Sequence, residues 1–277
     1  MSAADTTLRA GLEAVMREAM QLARQVPPEQ AHKKAHQDYV TEVDMKLDRF
    51  LETELGALTP GCPVLSEERA VTHAGSLERY WIVDPIDGTL NMMSGLPFYG
   101  IAAALVDRDG PQLAAVAAVA QDEVLIAERN QGAWLNGQPL RLPKTPPLLI
   151  VLSTGLLDHL MQDDNAQWEG IRAIGKIRNL GAQALHLCGV ARGQFAAVAS
   201  VEARVWDEAA AGLILREAGG IWQSRADRAD WTDPTALMAI TKQYSVAADP
   251  ASAAALVPLL PEAFSLTAGP AGTWPPT

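Results

Sequence analysis

Three large apolar residues, Trp81-Ile82-Val83, run straight into Asp84-Pro85-Ile86-Asp87-Gly88-Thr89. An unbroken apolar run of this kind fits a strand covered on both faces. Such a strand can end in two carboxylates as a plain Asp-Pro and Asp-Gly turn, or because something binds them, since a buried charge without a partner is costly. Pro85 fixes its own backbone angle and brings no N–H that must be satisfied. Gly88 allows close approach of the backbone to another group, and Thr89 adds a hydroxyl able to position a water. The turn offers two carboxylates and the Ile86 carbonyl to one small region, an oxygen donor set that suits Mg2+. A helix starting at Gly88-Thr89 would aim free N–H groups at an anion. The segment reads as a metal and phosphate seat at the edge of a sheet.

Two more carboxylates stand in comparable places. Glu67 follows the apolar Pro63-Val64-Leu65 run, within Ser66-Glu67-Glu68. Asp207 opens a helical pattern over Trp206–Ala218 that Gly219-Gly220 stop. Strand ends and helix starts are where a rigid scaffold carries functional groups. Ions held by such a set can flank a phosphate, orient a water and neutralise a leaving oxygen.

The scaffold is legible in part. Leu8, Leu12, Val15, Ala19, Leu22 and Val26 recur at helical spacing over 6–26, and Pro27-Pro28 end the pattern. A polar loop with Lys33, Lys34 and His36 follows. A second helix opens near Thr41, with Thr41 and Asp44 spaced as a capping box. Strand patterns cover Trp81–Val83, Tyr99–Val106, Leu113–Val119, Val124–Ala127 and Leu148–Leu152, with a hairpin turn at Asp109-Gly110. Ala184–Ala191 reads as helix and Phe195–Ala199 as strand. Strands interleaved with helices point to a layered α+β sandwich. After Pro261 the Gly/Pro-rich tail is expected to be loosely held.

Composition removes several function classes. The formal net charge of -11 and the lack of any basic run argue against a nucleic-acid polymer as partner. A bound divalent cation reconciles an acidic chain with an anionic substrate. The two cysteines, Cys62 and Cys188, form no metal-type spacing. The N-terminus shows no basic start followed by an apolar core, and the apolar runs fall far short of the roughly 18 residues of a membrane span. A soluble cytoplasmic protein that engages no membrane is expected.

The segment WIVDPIDGTLN resembles the first signature of the inositol monophosphatase family, magnesium-dependent and lithium-sensitive phosphatases, and WDEAAAGLILREAGG resembles the second. The resemblance continues in register over about residues 5 to 250. It includes Ser66-Glu67-Glu68, the segment from Asp38 to Asp44, and Arg178-Asn179-Leu180-Gly181. It implies a layered αβαβα sandwich of the inositol monophosphatase and fructose-1,6-bisphosphatase type. One domain would cover residues 1–262, with halves of about 1–145 and 146–262, and a tail would cover 263–277. Glu67, Asp84 and the Ile86 carbonyl would hold a first Mg2+, and Asp84, Asp87 and Asp207 a second. Glu67 would also support a third, weaker ion, with Mn2+ a substitute. Thr89, bonded to Asp44, would activate the attacking water, with Glu67 also in a catalytic role. Gly88, Thr89, Gly181, Ala182, Gln183 and Ser200 would bind phosphate or substrate, and Lys33 matches a lysine in a metal-binding loop. A homodimer acting on a small phosphorylated metabolite is implied.

The chain departs from the family pattern at three places. Members acting on inositol phosphate usually carry a glutamate where Ser200 stands, and Glu202 lies two residues on. Gln183 is unusual where a small residue is common, as is Met92-Met93 after Asn91. These positions bear on the substrate. A small polyol or sugar-type phosphate of the inositol monophosphate kind is expected. Histidinol phosphate, fructose 1,6-bisphosphate and a 3′-phosphoadenosine nucleotide are the alternatives. A non-catalytic, metal-binding regulatory or scaffold relative is the rival from another class, and its mark would be a lost ligand or a lost threonine.

Overall fold

The computed structural model describes residues 3–25, 31–35, 38–69, 75–145, 147–162, 166–226, 229–241, 243–261 and 264. Helix α1 (Ala3–Gln25) precedes strands β1 (Ala31–Ala35) and β2 (Asp38–Thr41) and helix α2 (Glu42–Leu58). Then come β3 (Val64–Ser66), β4 (Arg79–Asp87), the short α3 (Thr89–Met93), β5 (Gly100–Asp107) and β6 (Gly110–Ala118). Strands β7 (Glu123–Glu128), β8 (Gly132–Leu135) and β9 (Gln138–Leu140) complete this half. The second half runs β10 (Leu149–Leu152), α4 (Thr154–Gln162), α5 (Ala166–Ile174), β11 (Lys176–Arg178), α6 (Gln183–Ala191) and β12 (Ala197–Ser200). It ends with α7 (Val205–Glu217), β13 (Ile221–Gln223), α8 (Pro234–Met238), β14 (Ser245–Ala248) and α9 (Pro250–Leu256).

Strands β3 to β9 form a seven-stranded sheet in sequence order, antiparallel except for the parallel β3–β4 pair. A five-stranded sheet has the order β11-β10-β12-β14-β13, and its first three strands are parallel. Alternate side chains of β4 and β5 go to opposite faces, as strand geometry requires. Trp81, Val83, Ile101 and Ala103 pack with Leu12, Met16, Leu47 and Leu51 of α1 and α2. Tyr80, Ile82, Ala102 and Ala104 pack with Leu187 of α6 and with Ala210 and Ile214 of α7. The same two helices meet Val151, Val198 and Ala247 of the second sheet. The outer face of that sheet is covered by α4, α5 and α9 through Leu156, Ile171 and Leu256. The layers are therefore α, β, α, β, α.

Several expectations shift. The polar stretch around Lys33 is not a loop: β1 and β2 pair as an antiparallel hairpin, with Lys33 opposite Tyr39. A polar strand lacks the apolar alternation that would reveal it. The Lys33 side chain lies outside the described residues. The Thr41–Asp44 capping box forms in both directions. The tail also lies outside the described residues, apart from Phe264. That ring is fully buried and stands edge-on to Tyr244 with centroids 5.5 Å apart, so the chain is held past residue 262. Among the described residues no helix is long and apolar enough to cross a membrane.

The middle layer is squeezed between two sheets, and small residues make that possible. A Cβ added at Gly212 of α7 would lie 2.2 Å from ring carbons of Trp222. Alanine normally suits a helix better than glycine, but overpacking a tight core costs about 1–3 kcal/mol. Gly212→Ala is therefore expected to lower the urea midpoint of unfolding. A raised midpoint would show that the indole moves aside freely.

Candidate active site

The paired aspartates are presented by a β-bulge, not by a turn beyond the strand. Asp84 lies opposite Ala102 and Asp87 opposite Gly100, so Pro85 and Ile86 together face the single residue Ile101. In a regular strand, residues three apart point to opposite faces. The extra residue reverses the phase. Ile86 joins Val83 and Trp81 in the outer core, and Asp84 and Asp87 both turn toward the middle helices. Pro85 suits the position because a bulge leaves a residue out of the ladder.

Helix α6 grips Asp87. The N–H groups of Gln183 and Ala184 donate to its two oxygens at 2.9 and 2.7 Å, and that of Leu185 at 3.4 Å. The helix has no cap from its own Ala182, so a strand of the other sheet caps it. Asp207 stands in the first turn of α7 and accepts the Arg204 N–H at 2.7 Å. Glu67 follows β3, its N–H bonded to the Val83 carbonyl at 3.2 Å.

Beside them, the Thr89 hydroxyl is 3.1 Å from Asp44 Oδ1 and 3.1 Å from the Ile86 carbonyl. It carries one proton and donates to one of them at a time. The other oxygen of Asp44 accepts the Thr41 N–H at 2.8 Å and the Thr41 hydroxyl. Gly88, with φ near 90°, makes the sharp step from β4 into α3. A side chain there would meet Ala182 Cβ at 3.0 Å and the Phe98 carbonyl at 3.1 Å. Gly88, Gly181 and Ala182 thus come together, although nearly a hundred residues separate them in the chain.

The carboxylates crowd one another. One oxygen from each of Glu67, Asp84 and Asp207 lies within 4.8 Å of the others. Burial, then Glu67, Asp207, Asp87 and Asp44, push the Asp84 carboxyl well above its usual range. Asp207 is raised too, by burial first and then by Asp87. Asp87 rises to about 7 through burial, against three N–H donors that favour its charge. Burial raises Asp44 as well. Asp84 Oδ1 is buried with no hydrogen-bond donor among the described residues. A carboxylate with an orphaned buried oxygen, clustered with two more carboxylates, lacks positive charge, and hard oxygen donors suit Mg2+. The residues present therefore fit the ion.

A cavity of about 220 Å³ opens beside Asp87 and Asp207. Ser153, Asn179 and Ser200, which line it, follow or end the parallel strands β10, β11 and β12. Carboxyl ends of parallel strands are the usual place for ligands in open α/β sheets. Ser200 is buried and its hydroxyl accepts the N–H groups of Glu202 and Ala203 at 3.3 and 3.4 Å. Glu202 reaches the same cavity and accepts the Gly155 N–H. Its carboxylate is therefore available on that wall although Ser200 carries none. Gln183 turns its amide inward to Glu208 Oε1, 2.8 Å away.

Two residues escaped the sequence reading. Asn91 donates to the carbonyls of Phe98 and Leu180, at 2.7 and 2.6 Å, and ties the two halves of the site. Its position two residues after Thr89 was the only signal. Glu208 is fully buried beside Asp207. A charge on the apolar stretch of α7 was the available hint.

Comparison with known proteins agrees with this geometry. A model described as the inositol monophosphatase family matches residues 1–263. The inositol-1-monophosphatase of Rhizobium meliloti is 34% identical over 226 residues, 78% of this chain and 84% of that protein. A protein called Nus factor SuhB from Xylella fastidiosa is 33% identical over 192 residues, 68% of this chain and 69% of that protein. A solved IMPase of Thermotoga maritima shares the fold, with a TM-score of 0.73, 24% identity, and coverage of 94% of this chain and 98% of that one.

The raised carboxylates fix the sign of a pH dependence. Asp87 and its neighbours hold protons in the folded, metal-free chain at pH values where the unfolded chain has released them. Stability then falls as pH rises from about 4 through about 7. The metal-free thermal midpoint should drop between about pH 5 and pH 8, and millimolar Mg2+ should raise it most at the upper end. A metal-free midpoint that climbs over this range, or indifference to Mg2+, would contradict the electrostatics described.

Proposed function

The chain belongs to the inositol monophosphatase family and is a phosphoric monoester hydrolase, and from that premise we propose that it releases phosphate from a small polyol or sugar-type phosphate. The family is magnesium-dependent. Glu67, Asp84, Asp87, Asp207 and the Ile86 carbonyl would hold two or three ions, with Mn2+ a substitute. Mg2+ bound there supplies charge neutralisation and Lewis acidity to phosphate ester and water.

The chain's own groups do the positioning. Asp44 accepts from Thr89, which leaves the threonine oxygen free to accept a proton from the attacking water. Burial raises Asp44 and makes it the better proton acceptor. The Gly88 and Thr89 amides would hold the phosphate. The polar cavity, with Ser153, Thr154, Asn179, Ser200 and Glu202, offers hydrogen bonds to a hydroxylated leaving group. The observation that carries the reading is the orphaned oxygen of Asp84, on a carboxylate clustered with Glu67 and with the Asp207 that lines that cavity.

The relative called a Nus factor favours a second reading, a regulatory protein whose metal seat is structural. Phosphate release from inositol 1-phosphate, histidinol phosphate, fructose 1,6-bisphosphate and 3′-phosphoadenosine 5′-phosphate, with Mg2+ and with EDTA, separates the two. Mg2+-dependent release from one ester well above the rest is expected. Asp84→Asn should lower turnover by at least about 10²-fold in folded protein. Thr89→Ala should lower kcat by about 10²–10⁴-fold, while Thr89→Ser retains most of it. Folded, Mg2+-binding protein that cleaves none of the four esters would favour the regulatory reading.

A further inference from the structure

Glu208 is fully buried one residue beyond Asp207, and none of the steps above uses it. Its oxygens receive three donors. Oε1 accepts from Gln183 Nε2 at 2.8 Å and from the Ser245 hydroxyl, and Oε2 accepts from Trp222 Nε1 at 3.3 Å. Gln183 is held at its other end too. His186 Nε2 accepts the Leu180 N–H at 3.2 Å, so the proton of this neutral imidazole sits on Nδ1, 3.4 Å from Gln183 Oε1. Turning the Gln183 amide over would set donor against donor at His186 and acceptor against acceptor at Glu208. Its orientation is therefore unique.

The backbone N–H of the same Gln183 is one of the three that grip Asp87. Adjacent residues of α7 thus reach the site by two routes. Asp207 enters it directly. Glu208 reaches it through Gln183, the first turn of α6 and Asp87. The bonds from Ser245 and Trp222 run the other way, into the five-stranded sheet.

We propose that Glu208 is a positioning residue for the metal seat: its bond to Gln183 locks the first turn of α6 to the first turn of α7 and so sets the distance between Asp87 and Asp207. This rests on reading that carboxylate group as a Mg2+ seat. A purely structural glutamate would also stabilise the fold, so the test must separate metal affinity from stability.

The experiment titrates the thermal midpoint and the binding heat with Mg2+. It compares wild type, Glu208→Gln, Gln183→Leu, the double variant and Ser245→Ala. Glu208→Gln keeps size but sets amide hydrogens against a donor. The Mg2+ dissociation constant should rise about tenfold or more in each of the first two variants. The double variant should be no weaker than the weaker single one, because both break one link. Ser245→Ala should lower the metal-free midpoint and leave Mg2+ affinity unchanged. Saturating Mg2+ should restore turnover in Glu208→Gln. Should that variant fail to fold, Gln183→Leu, at a half-buried position, carries the test alone. Wild-type Mg2+ affinity in the folded variants, or losses that simply add, would overturn the proposal. A wild type that binds no Mg2+ would remove the metal reading itself, and the proposal with it.

Discussion

Like charges held close together in a poorly solvated place repel, and this chain holds Glu67, Asp84, Asp87 and Asp207 in one such place. The surrounding architecture can be understood as the means of sustaining that crowding. Asp87 is quieted by three N–H groups of α6. Asp207 is quieted by the Arg204 N–H at the start of α7. Asp84 has one oxygen with no donor among the described residues. The partial remedies stop where a cation would complete them. The layered fold brings this about by feeding both strand and helix ends to one seam: β4 from one sheet, α6 and α7 from the layer between the sheets.

Much of this was visible in the residues. Asp84, Asp87, Glu67 and Asp207 interrupt apolar patterns, and a carboxylate at the end of a buried run has few bland explanations. Thr41 and Asp44 advertised a helix start through their spacing, and the capping box formed as read. The bulge was not visible, because a strand buried on both faces shows no alternation whose phase could be seen to slip. The β1–β2 hairpin was hidden for a related reason, since the centre of Ala31–Ala35 is His-Lys-Lys and shows no apolar alternation.

Gln183 shows a different limit. Its type stood out against the family pattern, which suggested a contact with substrate. The structure bonds its side-chain amide to Glu208 and sets it beside His186, and the residue also lines the cavity. The partners of a buried polar group are chosen by packing across layers, and separation along the chain says nothing about them. Ser200 and Glu202 carry the same lesson in reverse. Two positions that differ in sequence register line one cavity, because the turn after β12 folds both into it.

The bulge in β4 also has a consequence for how such a segment can change over generations. Replacing Pro85 or Ile86 with another residue keeps the phase of the strand, and both aspartates still face inward. Losing either residue restores the regular alternation. Asp87 would then stand two residues from Asp84 and keep the inward face, but the one residue left between them would pair in the ladder opposite Ile101, and the bulge that now presents the Ile86 carbonyl to Thr89 would be gone. Exchange of letters within this stretch therefore leaves the backbone path from Asp84 to Gly88 as it is, whereas a change of its length redraws that path. Lineages carrying this site should vary in what they write between the two aspartates but not in how many residues they place there.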